Sequence, residues 1–280
     1  MSILDKVATS RRAPPDRLRS QMPAVTLVPA VLGLAFLVLP LLGLIVRAPW
    51  ATLPRRLTEP GVLTALALSL QTATVATVAC LLTGVPLAWL LARTSFRGRQ
   101  LVRALVTVPM VLPPVVGGVA LLLVFGRRGL IGTWLEATFG ITVPFTPTAV
   151  VMAQAFVAMP FLVIAVEGAL RGADTRYEEA AATLGANRWT TFRRVTLPLV
   201  APGVAAGAVL CWARALGEFG ATITFAGNFP GRTQTMPVAV YLALETDLDA
   251  ALVLSLILLT VSIAILASLR DRWLRGAPTA

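Results

Sequence analysis

Long apolar runs alternate with short polar stretches along this chain. The runs lie at about 24–46, 62–92, 101–125, 148–170, 199–212 and 250–269. About 20 helical residues cross a bilayer's hydrocarbon core, so most of these runs are long enough to span it. The pattern predicts an all-α integral membrane protein with six transmembrane helices. The first run contains Pro29 and Pro40 and ends in Arg47-Ala48-Pro49-Trp50. It exceeds the roughly 7–15 residues of a secretory apolar region, so we read it as a retained helix. The second carries Ser69, Gln71, Thr72, Thr74 and Thr77. Hydroxyls inside membrane helices bond to the preceding turn or to a neighbouring helix, and a pathway-lining role is the alternative.

Two interruptions stand out. Within the third run, Pro113-Pro114 precede Gly117-Gly118, a combination that bends or breaks a helix. A packing kink and a gate both fit it. Between the fourth and fifth runs lies the longest polar stretch, about 171–198. Thr175 and Glu178 have capping-box spacing, and Tyr177, Ala181 and Leu184 form an apolar stripe. Gly185 stands where a helix end needs a left-handed residue. Asn187 is placed to cap a second short helix, with Trp189, Phe192 and Val195 on one side and Arg188, Arg193 and Arg194 on the other. Pro198 is expected to end that helix and open the next span.

Composition agrees with a bilayer. The 280 residues are 57% hydrophobic and only 13% charged, with mean hydropathy +0.81. The net charge of +11 would suit nucleic acid, but its placement says otherwise. The tail, alternate loops and C-terminus on one side hold seventeen basic residues and the other side seven. Basic residues collect on the cytoplasmic face, so both termini and the 171–198 loop are expected there. The charge reports topology, and no nucleic-acid partner is expected. Histidine is absent, which excludes His metal sites and His-activated nucleophiles. Cys80 and Cys211 lie in apolar runs and read as buried free thiols.

The spacing Glu179-Ala180-Ala181, Gly185, then Val195-x-Leu197-Pro198 resembles the EAA motif of ABC importer permeases. That resemblance implies the type I ABC importer permease fold, with Glu178, Glu179, Ala180, Ala181, Gly185, Asn187, Arg188, Leu197 and Pro198 at the ATPase-docking loop. It assigns the two glutamates to capping and orienting the docking helix. The core is expected over residues 62–270, preceded by a tail, first helix and outer loop at 1–61 and followed by a short tail at 271–280.

A second string, Arg214-Ala-Leu-Gly217-Glu218-Phe-Gly220 with Ala-Thr222-Ile-Thr224-Phe-Ala-Gly-Asn228 and Thr235-Met-Pro237, resembles the oxyanion branch of that family. Within the branch it looks closer to molybdate than to sulfate permeases. Arg214 and Glu218 are four apart, so they can pair on one helix face, either as a structural ion pair or as part of the pathway. A tetrahedral dianion needs fixed N–H and hydroxyl donors beside modest positive charge. The tentative pathway set is Pro113, Pro114, Gly117, Arg214, Gly217, Glu218, Gly220, Thr222 and Thr224.

The resemblance implies a homodimer in the bacterial inner membrane, two ABC ATPase subunits and an extracytoplasmic molybdate-binding protein. The sequence has no Gly-x-x-x-x-Gly-Lys-Ser/Thr loop, so ATP and Mg²⁺ are expected on the ATPases and no cofactor on this chain. A sulfate, thiosulfate or tungstate permease is the near alternative. A membrane enzyme using Glu218 with Asp247 or Asp249, and an ion-coupled carrier, are the distant ones. Against the carrier, spans one to four and six have no Asp or Glu in their cores.

Overall fold

The computed structural model describes residues 24–274. The basic tail from Lys6 to Arg19, and Arg275, lie outside the described residues. The chain divides into two units, Met1–Arg47 and Ala48–Ala280. In the first, α1 (Ala24–Val46) is apolar but for Thr26 and contains Pro29 and Pro40, with the bounds the pattern predicts.

In its described residues the second unit has helices as its regular structure. A one-turn helix α2 (Leu53–Leu57) leads to α3 (Pro60–Arg93), which Pro60 opens at a position where no backbone donor is needed. Then come α4 (Arg99–Val111) and α5 (Pro114–Phe125), with a 117° bend between them. Leu112 and Pro113 are extended at that bend, because a residue before proline is pushed out of the helical region. A short α6 (Gly132–Phe139) precedes α7 (Pro147–Gly172), whose Thr146 hydroxyl accepts from the Ala149 N–H at 3.3 Å. The polar loop carries α8 (Arg176–Thr183) and α9 (Arg188–Thr191), followed by a π-helical segment at Phe192–Thr196. Last are α10 (Leu197–Leu216), α11 (Gly220–Phe225), α12 (Met236–Thr246) and α13 (Leu248–Leu274). Among the described residues, five helices are long and apolar enough to cross a membrane, or six if the bent α4–α5 pair counts as one.

Within the second unit, helix α7 is the column on which α3, α4, α5, α10 and α11 pack. Its Ala158, Leu162, Val163, Val166 and Leu170 are buried with Ala73, Ala76, Cys80, Ala88 and Leu91 of α3 and with Val200, Cys211, Ala215 and Leu216 of α10. Both cysteines are buried and unbridged. Lipid gives no hydrophobic reward for helix association, so close packing of small residues must supply it. A Cβ built on Gly203 would lie 2.3 Å from the Ala169 Cβ, and one on Gly207 3.1 Å from the Ala165 Cβ. These two glycines, one turn apart on α10, let its backbone rest on α7.

The hydroxyls of α3 follow the first of their two sequence readings. Thr72, Thr74 and Thr77 donate to the carbonyls of Leu68, Leu70 and Ala73, at 2.8, 2.7 and 2.7 Å. Ser69 does something different. Its hydroxyl accepts from the Met236 N–H at 2.7 Å and so caps α12. At the link between α12 and α13, the Ala250 N–H and then the Arg56 guanidinium hold the Asp247 carboxyl below the usual carboxylate range.

A side chain at Gly203 therefore has nowhere to go. Gly203→Val should lower the apparent melting temperature of the detergent-purified protein, by an overpacking cost of about 1–3 kcal/mol. Gly168→Ala is the control: its added Cβ meets nothing within 4 Å, and the melting temperature should not fall.

Candidate functional site

The structure groups the residues singled out from the sequence into two places, one at the polar loop and one where α5 meets α11.

At the loop, α8 ends in a full left-handed cap. Gly185 has φ +82°, its N–H donates to the Ala182 carbonyl, and the Ala186 N–H reaches the Ala181 carbonyl, both at 3.0 Å. Asn187 then caps α9, its side-chain oxygen accepting from the Thr190 N–H at 2.8 Å. Two expectations need correction. Thr175 makes no side-chain cap bond, so there is no capping box; the Asp174 carboxylate accepts from the Arg176 N–H at 2.9 Å instead. Nor does Pro198 end a helix. The chain from Arg188 to Leu216 is one helical stretch of 29 residues. Its π-helical segment hands the Leu197 N–H to the Phe192 carbonyl, and the wider turn accommodates the proline that follows.

The loop presents apolar side chains to the outside. Tyr177, Leu184 and Trp189 are 60%, 88% and 67% exposed, and Glu179 and Ala180 are exposed beside them. Glu178 turns the other way. Its Oε1 accepts from Arg93 Nη2 at the end of α3 (3.1 Å) and from the Thr196 hydroxyl in the π-segment (3.0 Å). Beneath the loop, an apolar cleft of about 720 Å³ lies between α3 and the π-segment, lined by Val85, Pro86, Trp89, Trp189 and Phe192. The Trp89 and Phe192 rings meet edge to face, 5.0 Å apart.

The second place is built on two breaks. After α10 the chain turns at Gly217, and α11 starts again at Gly220. Glu218 is fully buried in that turn. Its Oε1 accepts from the Ala221 N–H at 2.9 Å, satisfying a free donor of α11, and its Oε2 sits 2.6 Å from Arg214 Nη1. Across from it α5 begins at Pro114. A Cβ on Gly220 would lie 2.8 Å from the Pro114 Cβ, and one on Gly118 would lie 2.9 Å from the Ala221 carbonyl oxygen. Glycine is required at both, since the α5 and α11 backbones touch there.

Pro114 and Gly220 are thus brought together, and Thr224 meets Gly118, while Gly117 faces Phe156 of α7 instead; Arg214, Gly217 and Glu218 lie at the turn and Pro113 at the bend. Thr224 donates to the Gly220 carbonyl at 2.8 Å, and Thr222 is fully buried. Arg214 is the only charged side chain of this set with an exposed part, at 28%.

One cluster was not read from the sequence. Glu167, buried near the end of α7, accepts from Arg103 on α4 and pairs with Arg171 at 2.9 Å. The i, i+4 spacing of Glu167 and Arg171 was a visible signal; the α4 partner was not.

Comparison with known proteins bears on all of this. Residues 84–276 match the family described as the binding-protein-dependent transport system inner membrane component. The chain belongs to that family. A member from Mycobacterium tuberculosis, named molybdenum transport system permease protein ModB, is 48% identical over 93% of this chain and 98% of its own length. The sulfate transport system permease protein CysT of Escherichia coli is 38% identical over 83% of this chain and 85% of its own. Among solved structures, a bacterial alginate ABC transporter in complex with a periplasmic protein carries a chain with a TM-score of 0.73. That chain is 18% identical, with 91% of this chain and 95% of it covered, and the likeness speaks to the fold alone. As a permease of this family the chain is a transport subunit of a membrane system, with the type I importer fold.

Removing Arg214 would leave the Glu218 carboxylate buried without its ion partner. Breaking a buried pair costs on the order of 3–5 kcal/mol, while neutralising both members costs less. Arg214→Ala should therefore lower the apparent melting temperature by more than the Arg214→Ala, Glu218→Gln pair does. The comparison is a thermal melt of the purified proteins.

Proposed function

We propose that this chain is the permease subunit of an ATP-driven importer that carries molybdate from an extracytoplasmic binding protein into the cytoplasm. Two copies would surround one translocation path, with an ABC ATPase docked on each α8–α9 loop. ATP binding closes the ATPases and draws the loops together, which turns the path outward; hydrolysis resets it. The chain itself binds no nucleotide on this reading. Both termini and the loop lie in the cytoplasm, as the distribution of basic residues supports.

The observation that carries the reading is the loop. It is a capped helix–turn–helix, its second helix continuous with the Arg188–Leu216 stretch, that holds Tyr177, Leu184 and Trp189 out from its own chain. Exposed large apolar groups grouped on a structured surface mark a protein partner. The substrate rests on the relatives. Similarity to the molybdenum permease is higher, at 48% against 38%, and covers more of the chain than similarity to the sulfate permease. The sulfate reading is the second one, because both ions are tetrahedral dianions that the same donors would serve. In either case Arg214 supplies the charge at the path, and the α5–α11 contact at Gly118 and Gly220 is the packed element that must shift for an ion to pass.

The test is uptake of labelled molybdate by proteoliposomes holding the chain with its ATPase and binding protein. ATP-dependent uptake competed by tungstate and not by sulfate is expected. Equal competition by sulfate moves the substrate to the sulfate branch, and uptake without ATP dependence contradicts the importer reading.

A further inference from the structure

The resemblance places Glu178 in the ATPase-docking surface, yet its carboxylate points into its own chain. Arg93 and Glu178 side chains are only 16% and 23% exposed where they meet. Thr196, the second donor to Glu178, is fully buried. Three elements far apart in sequence converge on one carboxylate oxygen: the end of α3, the first turn of α8 and the last residue of the π-segment. Glu179, one residue on, faces outward.

We infer that Glu178 is a positioning residue for transport, a strut that fixes the docking helix to the two membrane helices it must move. This rests on the reading that α8 receives the ATPase. The surrounding groups favour a strut over a passive ion pair. Helix α8 has no buried residue of its own, so little else anchors it. Its bonds through Glu178 supplement that sparse packing with two directional, charge-assisted contacts to one carboxylate oxygen. Thr196 joins the carboxylate to the segment where the helical register widens, and that segment runs straight into α10. Local π-helical turns mark places where a helix can change register without breaking. Nearby, Trp89 of α3 packs edge to face on Phe192, the first residue of the same segment. A push on α8 therefore reaches α3 through Arg93 and α10 through Thr196. Without the carboxylate, α8 keeps only its half-exposed packing on the π-segment and α9, and its displacement is absorbed in the loop.

The experiment uses the whole complex, with ATPase and binding protein, in proteoliposomes. Co-purification of the ATPase, ATP hydrolysis and labelled molybdate uptake are measured together for the wild type, Glu178→Ala, Thr196→Val and Arg93→Glu with Glu178→Arg. Glu178→Ala should hold the ATPase but lower uptake per ATP hydrolysed by about ten-fold, the size of a typical coupling between sites. Thr196→Val, which removes one of the two donors and keeps the shape, should lower it by a smaller factor. The exchanged Arg93→Glu, Glu178→Arg protein should recover part of the ratio. A merely structural role would lower the yield of folded complex and leave uptake per ATP unchanged.

An unchanged ratio in Glu178→Ala and Thr196→Val overturns the strut alone. So does loss of the ATPase from Glu178→Ala, which would make the residue a docking contact. A wild-type chain that holds no ATPase overturns the docking reading and the strut with it.

Discussion

A backbone that stops being helical at membrane depth has no water to satisfy its freed N–H and C=O groups, so the protein must supply every partner. Among the described residues the chain interrupts its apolar helices at Leu112-Pro113 and at Gly217–Phe219, and it packs the two restarted helices against each other. Glu218 makes the second break tolerable. It answers the Ala221 N–H and is itself answered by Arg214. The glycines follow from this arrangement, because two restarted helices can shield each other's ends only if their backbones touch. Helix α7 completes the enclosure, with Phe156 against Gly117, with Leu162, Val163, Val166 and Leu170 in the core shared with α3 and α10, and with Ala165 and Ala169 against the α10 glycines.

The same helix that ends at the Glu218 turn begins at the polar loop. From Arg188 to Leu216 there are 29 helical residues, about 43 Å at the usual rise. One end carries the exposed aromatic surface proposed to meet an ATPase, and the other carries the ion pair beside the α5–α11 contact. A rod of this kind links the two places without a chain of small side-chain shifts. The π-segment lies near its loop end, where Thr196 and Phe192 are held by Glu178 and Trp89. Energy enters, on this account, where the rod is tied most firmly to its neighbours outside the membrane.

Much of this was legible in the sequence, and the reasons differ by element. The first, second and fourth spans were readable because apolar runs of bilayer length end at prolines and arginines; α1 matched to the residue. The cap at Gly185 and the Asn187 cap were readable because local backbone chemistry sets them. The proline pair announced a break, though not that the helix would swing through 117°. What stayed hidden depended on distant partners. Glu178 carried a capping-box signature, but Arg93, 85 positions away, and Thr196 offered stronger charge-assisted and buried bonds. Glu167 was unremarkable until Arg103 arrived from α4. Pro198 looked like a stop because a π-helical turn before it leaves no trace in hydrophobic periodicity.

On the importer reading, the loops around α8 move together when the ATPases close. The direct measurement is the distance between two copies of the chain, each spin-labelled at Thr183→Cys on the exposed side of α8, in the assembled complex. Cys80 and Cys211 are buried and should stay unlabelled, so the signal reports α8 alone. The distance should shorten when ATP is trapped and return after hydrolysis. A distance that ATP leaves unchanged, in a complex that still takes up substrate, would contradict that reading.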